Sequence, residues 1–269
     1  KYYYKKMDIS QSIIYGIVQG LGEFLPISST AHLVLVPFFT GWQDPGLAFD
    51  VALHAGTLLA VLAYFWRDWL KIFQLAFLKN QKSEQYKKDI LWLLIIATVP
   101  GVLAGYFMED YANTVFRSPW VIVFTLSFFG LLLYLLDKYA KQSKGMRRVG
   151  LRSALVVGLA QAVAIIPGVS RSGATITAAR ALGFDRVSSA KFSFLLSTPI
   201  IFGATMNQFP DLMEEGLSAP LVVGILVSAA SGYLAIKYLI RFVQSYSYKI
   251  FFWYRILLAA AIAAVIFWR

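Results

Sequence analysis

Two polar clusters, each carrying a proline, interrupt a chain that is otherwise a succession of apolar runs of helix length. The first is Gln19-Gly-Leu-Gly-Glu-Phe-Leu-Pro-Ile-Ser-Ser-Thr-Ala-His32 and the second is Pro167-Gly-Val-Ser-Arg-Ser-Gly-Ala-Thr175. Lipid tolerates almost no exposed carboxylate, imidazole or guanidinium, and broken backbone at membrane depth survives only where protein or a water-filled cavity surrounds it. Both clusters must therefore be enclosed, and the rest of the chain must enclose them.

Of 269 residues, 58% are hydrophobic and 14% charged, against roughly 25% charged in soluble domains. The runs exceed the ten or so residues of a membrane β-strand, so the expected class is an all-α polytopic membrane protein. A net charge of +11 would suggest nucleic acid in a soluble protein. Here the basic residues lie between apolar runs, where they report loop orientation and contact with anionic lipid, and no nucleic-acid partner is expected. The absence of cysteine excludes thiolate chemistry. No cleavable leader is evident; Met7 reads as a natural start after the basic Lys1–Lys6, and insertion without cleavage is expected.

Residues 9–39 and 153–182 read as helices broken at 22–29 and 166–172, each a hairpin that enters the membrane and returns. Full spans are expected at about 47–66, 90–108, 120–136, 192–206, 221–240 and 250–268, with a polar loop from 67 to 89. Each half, 8–137 and 151–269, is thus one re-entrant hairpin plus three spans. Gly16-Ile-Val-Gln19 matches Gly158-Leu-Ala-Gln161, and Ile96–Gly105 resembles Leu226–Ala235 more loosely. Three spans per half turn the second half upside down, which is an inverted-topology repeat with its site near the midplane. Loop charge agrees: residues 67–89 carry six Lys/Arg and 138–152 six more without an acid, so both should be cytoplasmic. The loops with Glu109 and Asp110, and with Asp211, Glu214 and Glu215, should lie outside. The two hairpins then enter from opposite faces and their tips meet.

In a helical arm, Gln19 and Glu23 lie at i and i+4 and face the same way. Ser28 can cap a second helix whose first turn brings Ser29 and His32 to one face, and Ser170 can cap a helix opening with Arg171, Ser172, Gly173 and Thr175. Two helix N-termini with hydroxyls and a guanidinium make an anion site, with phosphate the obvious anion. Glu23 beside a phosphate calls for a cation between them, and oxygen ligands suit Mg²⁺ or Ca²⁺. Hydroxyls in membrane helices also commonly bond only backbone. His54, four residues after Asp50, reads as a packing or hydrogen-bonding histidine.

The two motifs, with Phe192-Ser-Phe-Leu-Leu196 and the span count, resemble the bacterial undecaprenyl-diphosphate phosphatases of the bacitracin-resistance type, over nearly the whole chain. The resemblance implies an integral membrane hydrolase of the bacterial plasma (inner) membrane that converts undecaprenyl diphosphate to the monophosphate. It would recycle the lipid carrier for cell-wall synthesis, use Mg²⁺ or Ca²⁺, open to the outer face and confer bacitracin resistance. By position Glu23 matches the acidic metal or general-base residue, Ser29 the nucleophile or its nearest hydroxyl, His32 the essential histidine and Arg171 the phosphate-binding arginine. Ser28, Thr30, Ser170, Ser172, Gly173 and Thr175 match the polar lining. Gln19 stands where many members have a second glutamate, which removes one metal ligand while leaving an amide oxygen, and Ala31 stands where glycine is common. Implied partners are a polyprenyl diphosphate and membrane lipids, with a homodimer admissible. A lipid-carrier transporter using the same midplane site is the alternative from another class; a channel lacks its ring of like charges.

Overall fold

A computed structural model describes residues 7–113, 115–208, 210, 216 and 218–268. The leader Lys1–Lys6 and the acidic residues Asp211, Glu214 and Glu215 lie outside the described residues, as do the side chains of Glu109 and Asp110. Among the described residues there are eleven α-helices and no strand. They are α1 (Ile9–Phe24), α2 (Ser29–Thr40), α3 (Leu47–Tyr64), α4 (Trp66–Phe77), α5 (Ile90–Asn113), α6 (Pro119–Tyr139), α7 (Leu151–Val163), α8 (Arg171–Ala181), α9 (Arg186–Asn207), α10 (Ala219–Ser245) and α11 (Lys249–Trp268).

Five of these helices (α5, α6, α9, α10 and α11) are long and apolar enough to cross a membrane, and α3 with α4 makes a sixth if that bent pair counts as one span. The chain is therefore a multi-pass helical membrane protein. The expected polar loop from 67 to 89 is corrected over its first part: residues 66–77 form a helix bent by 73° from α3. Its charges masked an amphipathic pattern in which Trp69, Ile72 and Leu75 are buried while Arg67 is exposed and Lys71 partly so.

Small residues set how the helices approach. α1 packs along α10 and α7 along α5, so the first helix of each half lies on a long helix of the other. A Cβ on Gly16 would come within 2.7 Å of the Gly224 carbonyl oxygen, and one on Gly158 within 2.6 Å of the Ala97 carbonyl oxygen. Backbones meet directly at both places, as small residues allow in helices that gain nothing from hydrophobic association in lipid. Gly20 reinforces the first contact, because a Cβ there would lie 2.6 Å from the Ser228 carbonyl oxygen. The largest core cluster fills the space between these pairs with Phe24, Phe65, Phe192, Phe194 and Ile236.

A second anchor lies where α6, α8, α9 and α11 converge. Asp137 Oδ1 accepts from Arg180 Nε at 3.0 Å and Arg186 Nε at 2.7 Å, and its Oδ2 accepts from the Tyr248 amide at 3.0 Å. Arg180 is fully buried and also donates to the carbonyls of Ala140, Lys141 and Phe184, which closes the end of α6. This clamp fixes the far end of α8, whose near end carries the second polar cluster.

The close approach of α7 to α5 makes a direct prediction. Gly158→Ala should lower stability by about 1–3 kcal/mol, the usual cost of overpacking, whereas Gly105→Ala, which meets no atom within 4 Å, should be neutral or stabilising. Thermal unfolding of the two variants in the same detergent measures the difference, and equal midpoints would refute the direct backbone contact.

Candidate active site

The two polar clusters fold into the same local structure. α1 ends at Phe24, four residues turn, and α2 begins at Ser29 with Ser28 as its N-cap. α7 ends at Val163 and α8 begins at Arg171 with Ser170 as its N-cap. Ser28 has φ 74° and Ser170 φ 71°, a region costly for a residue with a side chain, of order 1–3 kcal/mol each. Each serine hydroxyl accepts the amide three residues on, Ala31 at 3.4 Å and Gly173 at 3.1 Å, which satisfies a helix-terminal donor. Strain held twice in matching turns marks both tips as built features.

Three contacts join the tips. Ser28 Oγ accepts from the Gly168 amide at 3.1 Å, Ser172 Oγ donates to the Leu25 carbonyl at 3.0 Å, and Arg171 donates to Glu23 Oε1 at 2.8 Å. Glu23 is buried, and its other oxygen accepts from Ser29 Oγ at 2.8 Å and Gln19 Nε2 at 3.1 Å. Arg171 is held in turn by the Ser193 carbonyl at 3.1 Å, and Thr175 Oγ1 meets Ser193 Oγ at 2.7 Å. The second tip therefore rests on α9.

Together they line a cavity of about 220 Å³. Glu23, Ser28, Ser29, Thr30, Ser170 and Arg171 reach it, as do His54 and Gln161. Ser172, Gly173 and Thr175 do not; they hold the tip that carries Arg171. His32 also lies off the cavity. Its Nδ1 is 2.7 Å from the Ser28 carbonyl, which can only accept, so that nitrogen carries a proton, and its Nε2 lies within hydrogen-bond distance of the Tyr254 hydroxyl at 2.6 Å. The shared face expected for Ser29 and His32 thus divides: Ser29 turns to Glu23 and His32 to a ring stacked on it from α11.

The imidazole at the cavity is that of His54. Its Nδ1 lies 2.7 Å from the Asp50 carbonyl, and its Nε2 faces Glu23 Oε2 at 3.5 Å. The histidine read as packing or hydrogen-bonding does hydrogen-bond, and it is in addition a neighbour of the buried carboxylate. Gln161, the counterpart of Gln19 in the matching Gly-x-x-Gln segments, was legible from that match. Arg255 was legible as an arginine inside an apolar run. It is fully buried and donates to the carbonyls of Leu126, Thr125, Gly168 and Val169, so it holds the second tip by its backbone.

Metal ligands are sparse. Among the described residues no group of three or more His, Cys, Asp or Glu could hold an ion, which argues against a zinc-type cage. The donor set fits a hard cation that shares its ligation with a substrate phosphate and water. Glu23 supplies a carboxylate, and the side-chain oxygens of Gln19 and Gln161 are buried with no hydrogen-bond partner among the described residues.

Known proteins share this sequence along nearly its whole length. Residues 12–261 match the family described as bacitracin resistance protein BacA. Similar proteins named undecaprenyl-diphosphatase include one from Desulforudis audaxviator, 48% identical over 96% of this chain and 98% of its own. One from Moorella thermoacetica is 47% identical over 97% of this chain and 99% of its own, and one from Pelotomaculum thermopropionicum is 45% identical over 95% and 96%. The chain belongs to the bacitracin resistance protein BacA family.

Proposed function

We propose that this protein is an undecaprenyl-diphosphatase, hydrolysing undecaprenyl diphosphate to undecaprenyl phosphate and inorganic phosphate. The observation that carries the reading is the convergence on one cavity of a hydroxyl hydrogen-bonded to a buried carboxylate, Ser29 with Glu23, and a guanidinium, Arg171. Family membership and the names of the relatives agree with it. A transporter of the same lipid would need a phosphate site but gains nothing from a serine held against a general base.

The spans and tips are read as six transmembrane crossings plus two re-entrant hairpins, with residues 8–137 and 151–269 as inverted repeats. The exchanged packing of α1 on α10 and α7 on α5 supports this, as do the paired serine caps. Loop charge supports cytoplasmic placement of 67–89 and 138–152 in a bacterial plasma membrane, with the site opening to the outer face and the polyprenyl tail left in the bilayer. Recycling of the carrier for cell-wall synthesis, and bacitracin resistance, follow from the activity.

Substrate enters as an anion and must displace part of the ion pair that fills the site. Arg171 can turn from Glu23 Oε1 to the terminal phosphoryl, with the hydroxyls and amides at the starts of α2 and α8 around it. Ser29 Oγ attacks the terminal phosphorus while Glu23 Oε2 accepts its proton. The bridging P–O bond breaks and undecaprenyl phosphate leaves with the bond's electron pair. Glu23 passes the Ser29 proton to the departing undecaprenyl phosphate. Water then attacks the phosphoserine, and Glu23 takes a proton from the water and returns it to Ser29 Oγ as the P–Oγ bond breaks and inorganic phosphate leaves. A bound Mg²⁺ or Ca²⁺, held by Glu23 with Gln19 or Gln161, would supply positive charge to the phosphate oxygens. His54 steadies the Glu23 oxygen that faces Ser29, and His32 supports the tip through the Ser28 carbonyl.

Phosphate release from a polyprenyl diphosphate by purified protein in detergent tests this. Arg171→Ala should lose about 10²-fold or more in rate, as expected when a donor to developing charge is removed, and Ser29→Ala should leave no phosphoserine on rapid quench. Full activity in Ser29→Ala would transfer the attack to water or histidine. His54→Ala should cost about tenfold through loss of the 3.5 Å contact to Glu23, with His54→Gln recovering most of it. The Glu23–Arg171 pair should also appear in stability: Glu23→Gln and Arg171→Gln should each destabilise, with a coupling of at least about 1 kcal/mol in the double-mutant cycle. Additive losses would mean that the two tips fold independently.

A further inference from the structure

The helix that replaced the expected loop presents two opposed apolar faces. Trp69, Ile72 and Leu75 are buried against the protein. Trp66, Leu70, Phe73 and Phe77, spaced by three or four residues, form a second stripe and remain 48–65% exposed. Between the faces Arg67 is exposed and Lys71 partly so, with the Arg67 guanidinium 5.1 Å from the Trp66 ring centre. A soluble protein could not leave such a stripe uncovered, whereas a helix bent 73° from a span and lying in the interfacial plane sets it against acyl chains.

Immediately beyond this helix is an open cavity of about 550 Å³ lined by the exposed Lys82, Lys87, Lys88 and Arg147, with Leu75 also in its lining and Glu84 its sole acid. None of the four cations forms an ion pair among the described residues, although five other basic side chains, Arg117, Arg171, Arg180, Arg186 and Lys191, do so. The cavity wall is anchored. Tyr86 is buried and donates to Asp68 Oδ1 at 2.7 Å, Lys191 binds the same oxygen at 2.6 Å, and Lys71 donates to Gln81 at 3.3 Å. Lys87 and Lys88 directly precede α5, and Arg147 precedes α7, so the cavity lies where two apolar helices leave the hydrocarbon.

We infer that α4 and this cavity form a binding site for an anionic phospholipid, the phosphate headgroup held by Lys82, Lys87, Lys88 and Arg147 and the acyl chains lying along the Trp66, Leu70, Phe73 and Phe77 stripe. Charge complementarity selects an anionic headgroup, and the apolar stripe, whose end at Phe77 packs on Trp92 four residues beyond Lys88 at 6.4 Å between ring centres, selects a lipid over a free anion. Each Lys or Arg near an anionic surface adds about 1 kcal/mol of attraction, so four around one headgroup favour an anionic lipid over a zwitterionic lipid of equal chain length. The site is remote in sequence and lining from the catalytic cavity and goes beyond the proposed phosphatase reaction.

Native mass spectrometry of the full chain in detergent tests it, titrating phosphatidylglycerol and phosphatidylcholine of matched acyl chains. One phosphatidylglycerol should be retained at least about tenfold more tightly than phosphatidylcholine. Lys82→Gln/Lys87→Gln/Lys88→Gln/Arg147→Gln should abolish the preference, and the charge-matched control Lys138→Gln/Lys237→Gln/Arg241→Gln/Lys249→Gln should retain it. Equal retention of the two lipids, or equal loss in the control, would overturn the site, the latter reducing it to diffuse attraction. Displacement of the lipid by millimolar inorganic phosphate would make it a free-phosphate site and overturn the lipid assignment. Because the chain has no cysteine, nitroxides at Phe73→Cys and Arg67→Cys report the lie of α4 in bilayers. The first should be relaxed mainly by oxygen and the second by an aqueous nickel complex, and equal water access at both would refute the interfacial helix.

Discussion

A carboxylate buried among helices that face lipid must be met by a cation, and the contact between Glu23 and Arg171 is where this protein meets that demand. The acid comes from the end of α1 and the base from the start of α8, 148 residues later. Neither tip could be buried alone, because each would strand a charge at a cost of several kcal/mol. The pair therefore does more than hold two loops together: it makes closure of the two halves a condition for burying either. Ser28 with Gly168, and Ser172 with Leu25, add neutral hydrogen bonds across the same seam.

That demand reaches outward through the helices. The tips can meet only if the arms that carry them approach closely, and Gly16, Gly20 and Gly158 permit backbone contact where any side chain would intrude. Arg255 then spends its donors on carbonyls of the second tip and α6, while Arg180 and Asp137 fix the opposite end of α8. Two fully buried arginines in an apolar bundle are costly in isolation. Here their hydrogen bonds go largely to backbone carbonyls, among them Gly168 and Val169 of the second tip and Ala140, Lys141 and Phe184 beyond helix ends, so the charge and the broken backbone there satisfy each other.

What the sequence disclosed follows from which signals are local. The spans were legible because twenty apolar residues have few other uses, and the serine caps because hydroxyl, turn and helix lie within a few residues. The Gln19–Glu23 contact follows from helical spacing alone. His54 was missed because its meaning depends on α3 passing beside the end of α1, a tertiary fact with no local mark; beside Asp50 it looked like an ordinary polar pair. The direction in which His32 turns was hidden for the complementary reason. Spacing puts it one turn from Ser29, but the ring at that position turns to Tyr254, 222 residues away. α4 was read as loop because charge count outweighed periodicity in a stretch where both faces are apolar.

The same geometry explains why an ion pair can serve as a substrate site. Arg171 and Glu23 are satisfied by each other while the cavity holds no phosphate, which keeps two charges stable at depth. An incoming diphosphate offers Arg171 a more highly charged partner, and Glu23, released from the guanidinium, retains Ser29, Gln19 and His54 around its other oxygen. In the proposed reaction, binding therefore converts the carboxylate from a structural counter-ion into a base poised against the hydroxyl. The contact that lets the two halves close is then also the one that substrate must open, so stability of the empty site and affinity for phosphate oppose each other, and the strength of this one pair sets the balance between them.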